Sequence, residues 1–322
     1  MRPTSMQLLG LLAALTVGNS AAQSAYPDKA IHVLVGFPSG SAPDIVARLV
    51  CQRLSDTLGK PVLVEDVAGA AGNIAAERVA KSAPDGYTLA FAANAQMIIN
   101  PSLYKLSFDP VRDFAPISQV YLSPNILVVG NGVNAKNVQE LLRLAKAQPG
   151  ALTFASGGTG SSPHLAGELF KSMAGVDLRH VPYKGGVAAI PDLLAGRVTM
   201  MFTPIPVILP LVREGKLRAL AATSLQRVPS MPELPTVAES GVRGFDVTLW
   251  GGLVAPANTA PAIIERVYHE TATVLAQADV RARFADLGIV AIGNSPQEFA
   301  ATIKSEIPRW SAVIREAGIK PD

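Results

Sequence analysis

Cysteine is almost missing: Cys51 stands alone in 322 residues. No disulfide can form within the chain, and a thiol so far from the N-terminus cannot take up a lipid anchor at a processing site. Within ARLVCQRLSDTL it falls beside the apolar face of a helical pattern, which predicts an inert core thiol. Aromatic residues make up only 6% and there is no run of Lys or Arg, so a nucleic-acid partner is excluded as a working reading. The sequence pI of about 9.0 overstates the basic character. Without Arg2, the 28 basic residues become 27 against 25 acidic ones. Also missing are a GxGxxG dinucleotide fingerprint, a Walker A sequence, a GxSxG elbow and any His/Cys/carboxylate spacing suited to zinc. No cofactor or metal is expected. His32, His180 and His269 are scattered along the chain.

Long apolar runs are absent too, except at the start. Arg2, the run LLGLLAALTV and the small residues of NSAAQSA form the layout of a secretory leader. That run is too short to span a bilayer comfortably. Cleavage is expected between Ala22 and Ala25, leaving residues 1–25 as a signal peptide and an exported, soluble protein beyond it.

Apolar residues reach 49%, enough for more than one core. Short β-branched runs alternate with amphipathic helical patterns: IHVLVGF, DIVARLVCQRLSDTL, VLVED, NIAAERVAKSA and TLAFAAN. This alternation predicts parallel strands with crossover helices. A second series begins near Asn125 with NILVVG and runs through LTFAS, DLRHVPY, VTMMF and LRALAATS, each followed or separated by helical patterns. A strand at Val247–Pro256 and three helical stretches close the chain, and these are expected to return to the first unit. The Pro- and Gly-rich segments FDPVRDFAPIS and VPSMPELPTVAESGVRGF are read as linkers. The expected organisation is therefore lobe 1 from residues 26–124 plus 245–322, and lobe 2 from 125–244.

Four loops that link a predicted strand to a predicted helix carry glycine: FPSGSAPD (Phe37–Asp44), VAGAAGN (Val67–Asn73), SGGTGSSPH (Ser156–His164) and YKGG (Tyr183–Gly186). In open parallel sheets such loops gather at the carboxyl ends of the strands, where ligands bind. SGGTGSSPH holds three glycines and four hydroxyls just where a helix begins. A helix start offers unpaired N–H groups and partial positive charge, so the stretch reads as an anion cradle. Taken alone it is equally an N-capped loop with Pro in the first turn. Asp44 and Asp192 sit at helix starts and read as first-turn or capping carboxylates. Lys184 either steers an anion or is solvated, and Trp250 either fills core or walls a pocket. A hydrolase using Ser161 and His164 is the rival reading, although no third member or oxyanion motif accompanies them.

Several of these motifs, in this order, resemble the periplasmic solute receptors of tripartite tricarboxylate transporters, often called Bug proteins. The resemblance spans the mature chain through YPDKAIHVLVGFPSG, GNIAAERVAKSAPDGYTL, NPSLYKLSFDPVRDFAPIS, SGGTGSSPHLAGELF, HVPYKGG and MPELPTVAESGV. It implies an α/β two-lobed periplasmic binding protein, a Venus flytrap with a central sheet in each lobe, whose interlobe cleft binds a small organic acid. It also implies a soluble monomer without catalytic activity, which presents its ligand to inner-membrane transporter subunits or to a sensor protein. The implied ligand-binding residues are Pro38, Ser39, Gly40, Ser41 and Asp44 in the first loop, and Ala68, Gly69, Ala70 and Asn73 in the second. Ser156, Thr159, Gly160, Ser161, Ser162, His164, Tyr183, Lys184, Gly185 and Gly186 would follow in lobe 2. The second loop departs from the family's usual Asn-, Arg-, Pro- and Gly-rich pattern. Thr203 stands where the family often has an acidic residue, and, if it faces the cleft, it favours a plain carboxylic acid over an ammonium-bearing ligand.

Overall fold

The computed structural model describes residues 26–320 apart from Thr159, Gly160, Lys184 and the side chain of Pro206. The expected leader, residues 1–25, lies outside the described residues. The chain forms strands β1 (Ile31–Val35), β2 (Val62–Asp66) and β3 (Thr88–Ala93), with helices α1 (Ala42–Leu58) and α2 (Asn73–Ala80) crossing between them. A π-helical turn, Ala95–Ile99, leads into the short α3 (Asn100–Leu103). Next come β4 (Phe114–Gly130), α4 (Val138–Ala147), β5 (Thr153–Ser156), α5 (Ser162–Ala174), β6 (Arg179–Pro182), α6 (Ile190–Leu194) and β7 (Met200–Pro204). The order continues through α7 (Ile205–Arg213), β8 (Leu217–Ala222), β9 (Thr248–Pro256), α8 (Pro261–Ala276), α9 (Ala278–Asp286), β10 (Val290–Ala291) and α10 (Pro296–Glu316).

Local chemistry accounts for the helices that matter to the site. α1 follows Ser41 with Pro43 in its first turn, buries Val46, Ala47, Val50, Cys51, Leu54 and Leu58 on one face, and stops at Gly59 in a left-handed conformation. Cys51 is 1% exposed and burial pushes its thiol up to about 12, as expected of an inert core residue. α5 repeats the scheme, with Pro163 in the first turn, Leu165, Ala166, Leu169 and Phe170 buried, and Gly175 closing it.

The sheet order is β2-β1-β3-β9-β4-β7-β5-β6, with β8 and β10 also pairing β4. The β1–β2, β1–β3, β5–β6 and β5–β7 pairs are parallel, as the alternation predicts. β4, however, pairs antiparallel with β7, β8, β9 and β10. It is one 17-residue strand that includes FAPIS, which the sequence reading assigned to a linker. Pro116 and Pro124 are accommodated within it, and the register with β9 shifts at Pro116/Ser118 and Gln119/Tyr121. Its residues 114–124 pair with β9, and 125–129 with β7. The two halves of the sheet thus share a strand. α8 and α9 place Ile264, Val267, Val274, Leu275, Val280 and Phe284 in one core with β1 and α1. α10 packs Phe299, Ile303 and Trp310 into the core that also holds Phe154 and Leu165.

Candidate functional site

Along β4 the side chains alternate between faces, so Tyr121, Ser123 and Asn125 share one. Their partners across the antiparallel ladders are Gly251, Leu249 and Pro204, and Gly251 in turn pairs with Ala93. Ala93, Tyr121, Leu249, Ser123 and Pro204 form the floor of a cavity of about 390 Å³. Its walls are the segments that leave the carboxyl ends of the parallel strands. After β1 these are Phe37, Ala42 and Pro43, and after β2, Ala71. The turn after β3 contributes Asn94, Ala95, Ile99, Asn100, Leu103 and Tyr104, and the start of α5 contributes Ser161, Ser162 and Pro163. The cavity therefore sits where strand polarity places ligand sites in open sheets.

The sequence-predicted residues divide sharply. Ser161 and Ser162 line the cavity, whereas Pro38, Ser39, Gly40, Ser41 and Asp44 do not; their loop touches it through Phe37, Ala42 and Pro43 instead. The reason is Asp44. Its Oδ2 accepts the Gly40 N–H (2.7 Å) and lies 3.5 Å from the Ser39 hydroxyl, while its Oδ1 pairs with Arg48 Nε at 2.6 Å. That carboxylate folds the loop back on the helix start. The Ser41 hydroxyl is buried without a hydrogen-bond partner. In the second loop only Ala71 reaches the cavity, not Ala68, Gly69, Ala70 or Asn73. Ala70 (φ 47°) and Ala71 (φ 53°) hold left-handed backbone without being glycine, a strained conformation that packing must enforce. Gly72 supplies the packing: a Cβ there would fall 2.2 Å from Gln96 Nε2. Asn73 Oδ1 accepts from Asn100 Nδ2 (2.7 Å), which also donates to the Ala71 carbonyl (3.2 Å).

In the third loop, Ser156 is fully buried, with its hydroxyl 2.7 Å from His180 Nε2. The Ser161 hydroxyl donates to the Gly158 carbonyl (2.6 Å), so its proton is spent inside the loop and the Ser161/His164 hydrolase reading gains nothing from the geometry. Ser162 differs: its Oγ accepts from Asn125 Nδ2 (3.2 Å), which leaves its own proton free to donate into the cavity. Tyr183, Gly185 and Gly186 turn away from the cavity. The Tyr183 hydroxyl donates to Asp192 (2.6 Å), the Gly185 N–H donates to the Gly157 carbonyl (3.2 Å), and a Cβ on Gly157 would lie 3.0 Å from Gly186 N. Much of the glycine in these loops serves loop-on-loop contact. Thr159, Gly160 and Lys184 lie outside the described residues.

Two positions that the sequence left open, Thr203 and Trp250, lie off the cavity lining. Thr203 pairs with Ile126, on the face opposite Pro204, and is 0% exposed with an unpartnered hydroxyl, so it does not face the cavity. Trp250 is core, donating its indole N–H to Glu306 (3.0 Å) and packing edge-on against Phe299, while its neighbour Leu249 forms the cavity floor. Sequence reading missed Asn94, Asn100, Ser123 and Asn125. A cue existed for the first two, because TLAFAAN followed by NPS places amides at a strand's carboxyl end.

His164 does not line the cavity; it is buried behind it, its ring stacked on His180 with centroids 3.8 Å apart. Burial, then the neighbouring His180 and Lys171, lowers its pKa to about 4. The unfolded imidazole titrates near the ordinary value of 6.5. Between these values the unfolded chain binds a proton that the native chain refuses, so His164 makes stability fall as pH drops from 6.5 towards 4. At ~1.4 kcal/mol per pKa unit, less some solvent screening, the loss is about 2 kcal/mol. Burial raises the pKa of Asp246 and Glu306, which acts in the opposite sense, losing stability as pH rises. Urea unfolding at pH 7 and pH 4.5 should therefore show a smaller acid loss in His164→Gln than in the unsubstituted protein. Equal losses would remove His164 from the account.

Among the described residues no helix is long and apolar enough to cross a membrane, and no cluster of His, Cys, Asp or Glu could hold a metal ion. The family model described as the tripartite tricarboxylate transporter family receptor matches residues 46–319. The protein BugT of Bordetella pertussis is 36% identical over 319 residues, covering 98% of each chain. An R. palustris protein solved with adipate superposes with a TM-score of 0.79 at 34% identity, covering 92% of this chain and all of that one. MatC from Rhodopseudomonas palustris, solved with malate, gives 0.74 at 33% identity, covering 90% of this chain and all of that one. The two-lobed α/β architecture, the cavity at the strand ends and a family match over most of the sequence agree, and the chain belongs to the receptor family of the tripartite tricarboxylate transporters.

Proposed function

We propose that this protein captures a small organic acid in the cavity above β4, in the periplasm and without catalysis, and presents it to the membrane subunits of a tripartite transporter. The observation that carries this reading is a single cavity walled by strand-end segments from both halves of the shared sheet, Phe37 to Tyr104 on one side and Ser161 to Pro163 on the other. Residues 26–124 with 245–322, and 125–244, would then be the two lobes, with the crossings at Pro124–Asn125 and near Phe245 as the hinge.

The likeness to proteins solved with adipate and malate supports a carboxylate ligand. The chemistry of the α5 start supports it too. The Ser162 hydroxyl has a proton to donate, and the first-turn N–H groups carry the partial positive charge of the helix terminus. A hydrogen bond to a charged group contributes about 1.5–3 kcal/mol, and a partly buried helix terminus up to about 2. Four or five such contacts, less ordering and desolvation, reach the roughly 8 kcal/mol of micromolar binding. A ligand that touches both walls binds the closed arrangement better and shifts the population towards it, which a membrane partner can read.

Native mass spectrometry followed by calorimetric titration with organic acids tests the reading. A one-to-one acid adduct or a micromolar titration is expected. Silence across mono-, di- and tricarboxylates would overturn it.

A further inference from the structure

The composition of the cavity wall narrows the class of acid, on the reading that the cavity holds an organic acid at all. The segment after β3 presents Ala95, Ile99 and Leu103 to the cavity, a spacing of four that lays three hydrocarbon side chains in one stripe. Asn100, within the same segment, has both amide protons committed elsewhere, to the Ala71 carbonyl and to Asn73. Phe37 from the first loop and Leu249 from β9 extend the hydrocarbon surface, and the Tyr121 ring, stacked on Phe91, continues it along the floor. On the second-half side, by contrast, Ser161 and Ser162 stand at the start of α5, and Ser162 is held from behind by the fully buried Asn125. The described lining residues include no charged side chain.

The geometry points to an amphipathic ligand: a monocarboxylic acid whose carboxylate meets Ser162 and the α5 start, and whose aromatic ring or six- to eight-carbon chain covers Ile99, Leu103 and Leu249. A second carboxylate beside Ile99, Leu103 and Leu249 would lose water without gaining a charged partner from the described lining. A ring or alkyl chain in the same place gives up only unfavourable contact with water. The neutral Asn94 amide and the Ser123, Tyr104 and Tyr121 hydroxyls can serve a hydroxyl or carbonyl substituent on the body, but none carries the positive charge that would balance a second carboxylate.

Calorimetric titration of the protein with phenylacetate, hexanoate, adipate and citrate, under one set of conditions, tests this. Phenylacetate or hexanoate is expected to bind at least tenfold more tightly than adipate and citrate. Leu103→Asn is expected to weaken the preferred monoacid at least fivefold, and Leu103→Met to restore it. If adipate or citrate binds as tightly as the monoacids, the single-carboxylate assignment falls and the receptor reading stands. If Leu103→Asn leaves monoacid affinity unchanged, the placement of the apolar body is overturned. If none of the four acids binds, the assignment falls together with the receptor reading.

Discussion

Ser162→Asp should reduce affinity for an organic acid at least 100-fold while leaving the melting temperature within a few degrees. Position 162 opens α5, and a carboxylate in a first helical turn is compatible with the helix dipole. The neighbouring Asn125 amide, which now donates to the serine oxygen, can donate to the aspartate instead. The fold therefore has a way to accept the new charge. The ligand does not, because its own carboxylate would meet a like charge at the point where it is held. Two unit charges about 4 Å apart in a partly enclosed site repel by roughly 4 kcal/mol, and 100-fold needs only about 2.7. Calorimetry reads the affinity and thermal unfolding reads the fold. Retained affinity in a folded Ser162→Asp protein would mean that the carboxylate is held elsewhere.

The second large effect concerns stability. Gly252 lies in β9, between β3 and β4, where a Cβ would fall 2.6 Å from the Ser118 carbonyl oxygen and 2.6 Å from the Phe299 ring. The carbonyl belongs to the backbone of β4 and cannot swing away, and Phe299 anchors α10 in the core. Gly252→Val should cost about 3 kcal/mol or more, near the upper end for overpacked sites. Gly132, with no atom within 4 Å of its Cβ position and an ordinary backbone, is the control. Gly132→Ala should stay within about 0.5 kcal/mol of the unsubstituted protein. Urea unfolding of the two variants measures the contrast, and a Gly252→Val protein as stable as the control would refute the tight contact.

The parts of the fold legible in the sequence are those set by local periodicity. α1, α5 and α8 to α10 follow from apolar spacing, reinforced by Pro in the first turn of α1, α5, α8 and α10 and by a closing glycine in α1 and α5, and the parallel pairs follow from the alternation of strands and helices. Only the second half of β4, NILVVG, was legible; the first half was hidden because Pro116 lies in a segment with the composition of a linker, while its pairing is fixed by β9, more than 100 residues away. The site was half legible for a related reason. Gly and Ser mark the strand-end loops correctly, yet composition does not distinguish a loop atom turned to a ligand from one turned to its neighbour. Asp44, Ser156, Ser161 and Tyr183 carry groups suited to binding, and in each case a described hydrogen bond commits that group within the protein. Ser123 and Asn125 sit inside a strand, where only register assigns them to the cavity side.

The order β3-β9-β4 has a consequence for how the chain reaches this structure. β3 ends at Ala93 and β4 begins at Phe114, but the strand that joins them begins only at Thr248. During synthesis at about 5–20 residues per second, the first sheet half waits several seconds or more for its central strand. Until then the edges of β3 and β4 lie open, and such edges are templates for pairing with another chain. Contacts so distant in sequence also slow folding. Refolding from urea should accordingly be slow and sensitive to protein concentration, with the closing step set by the arrival of β9.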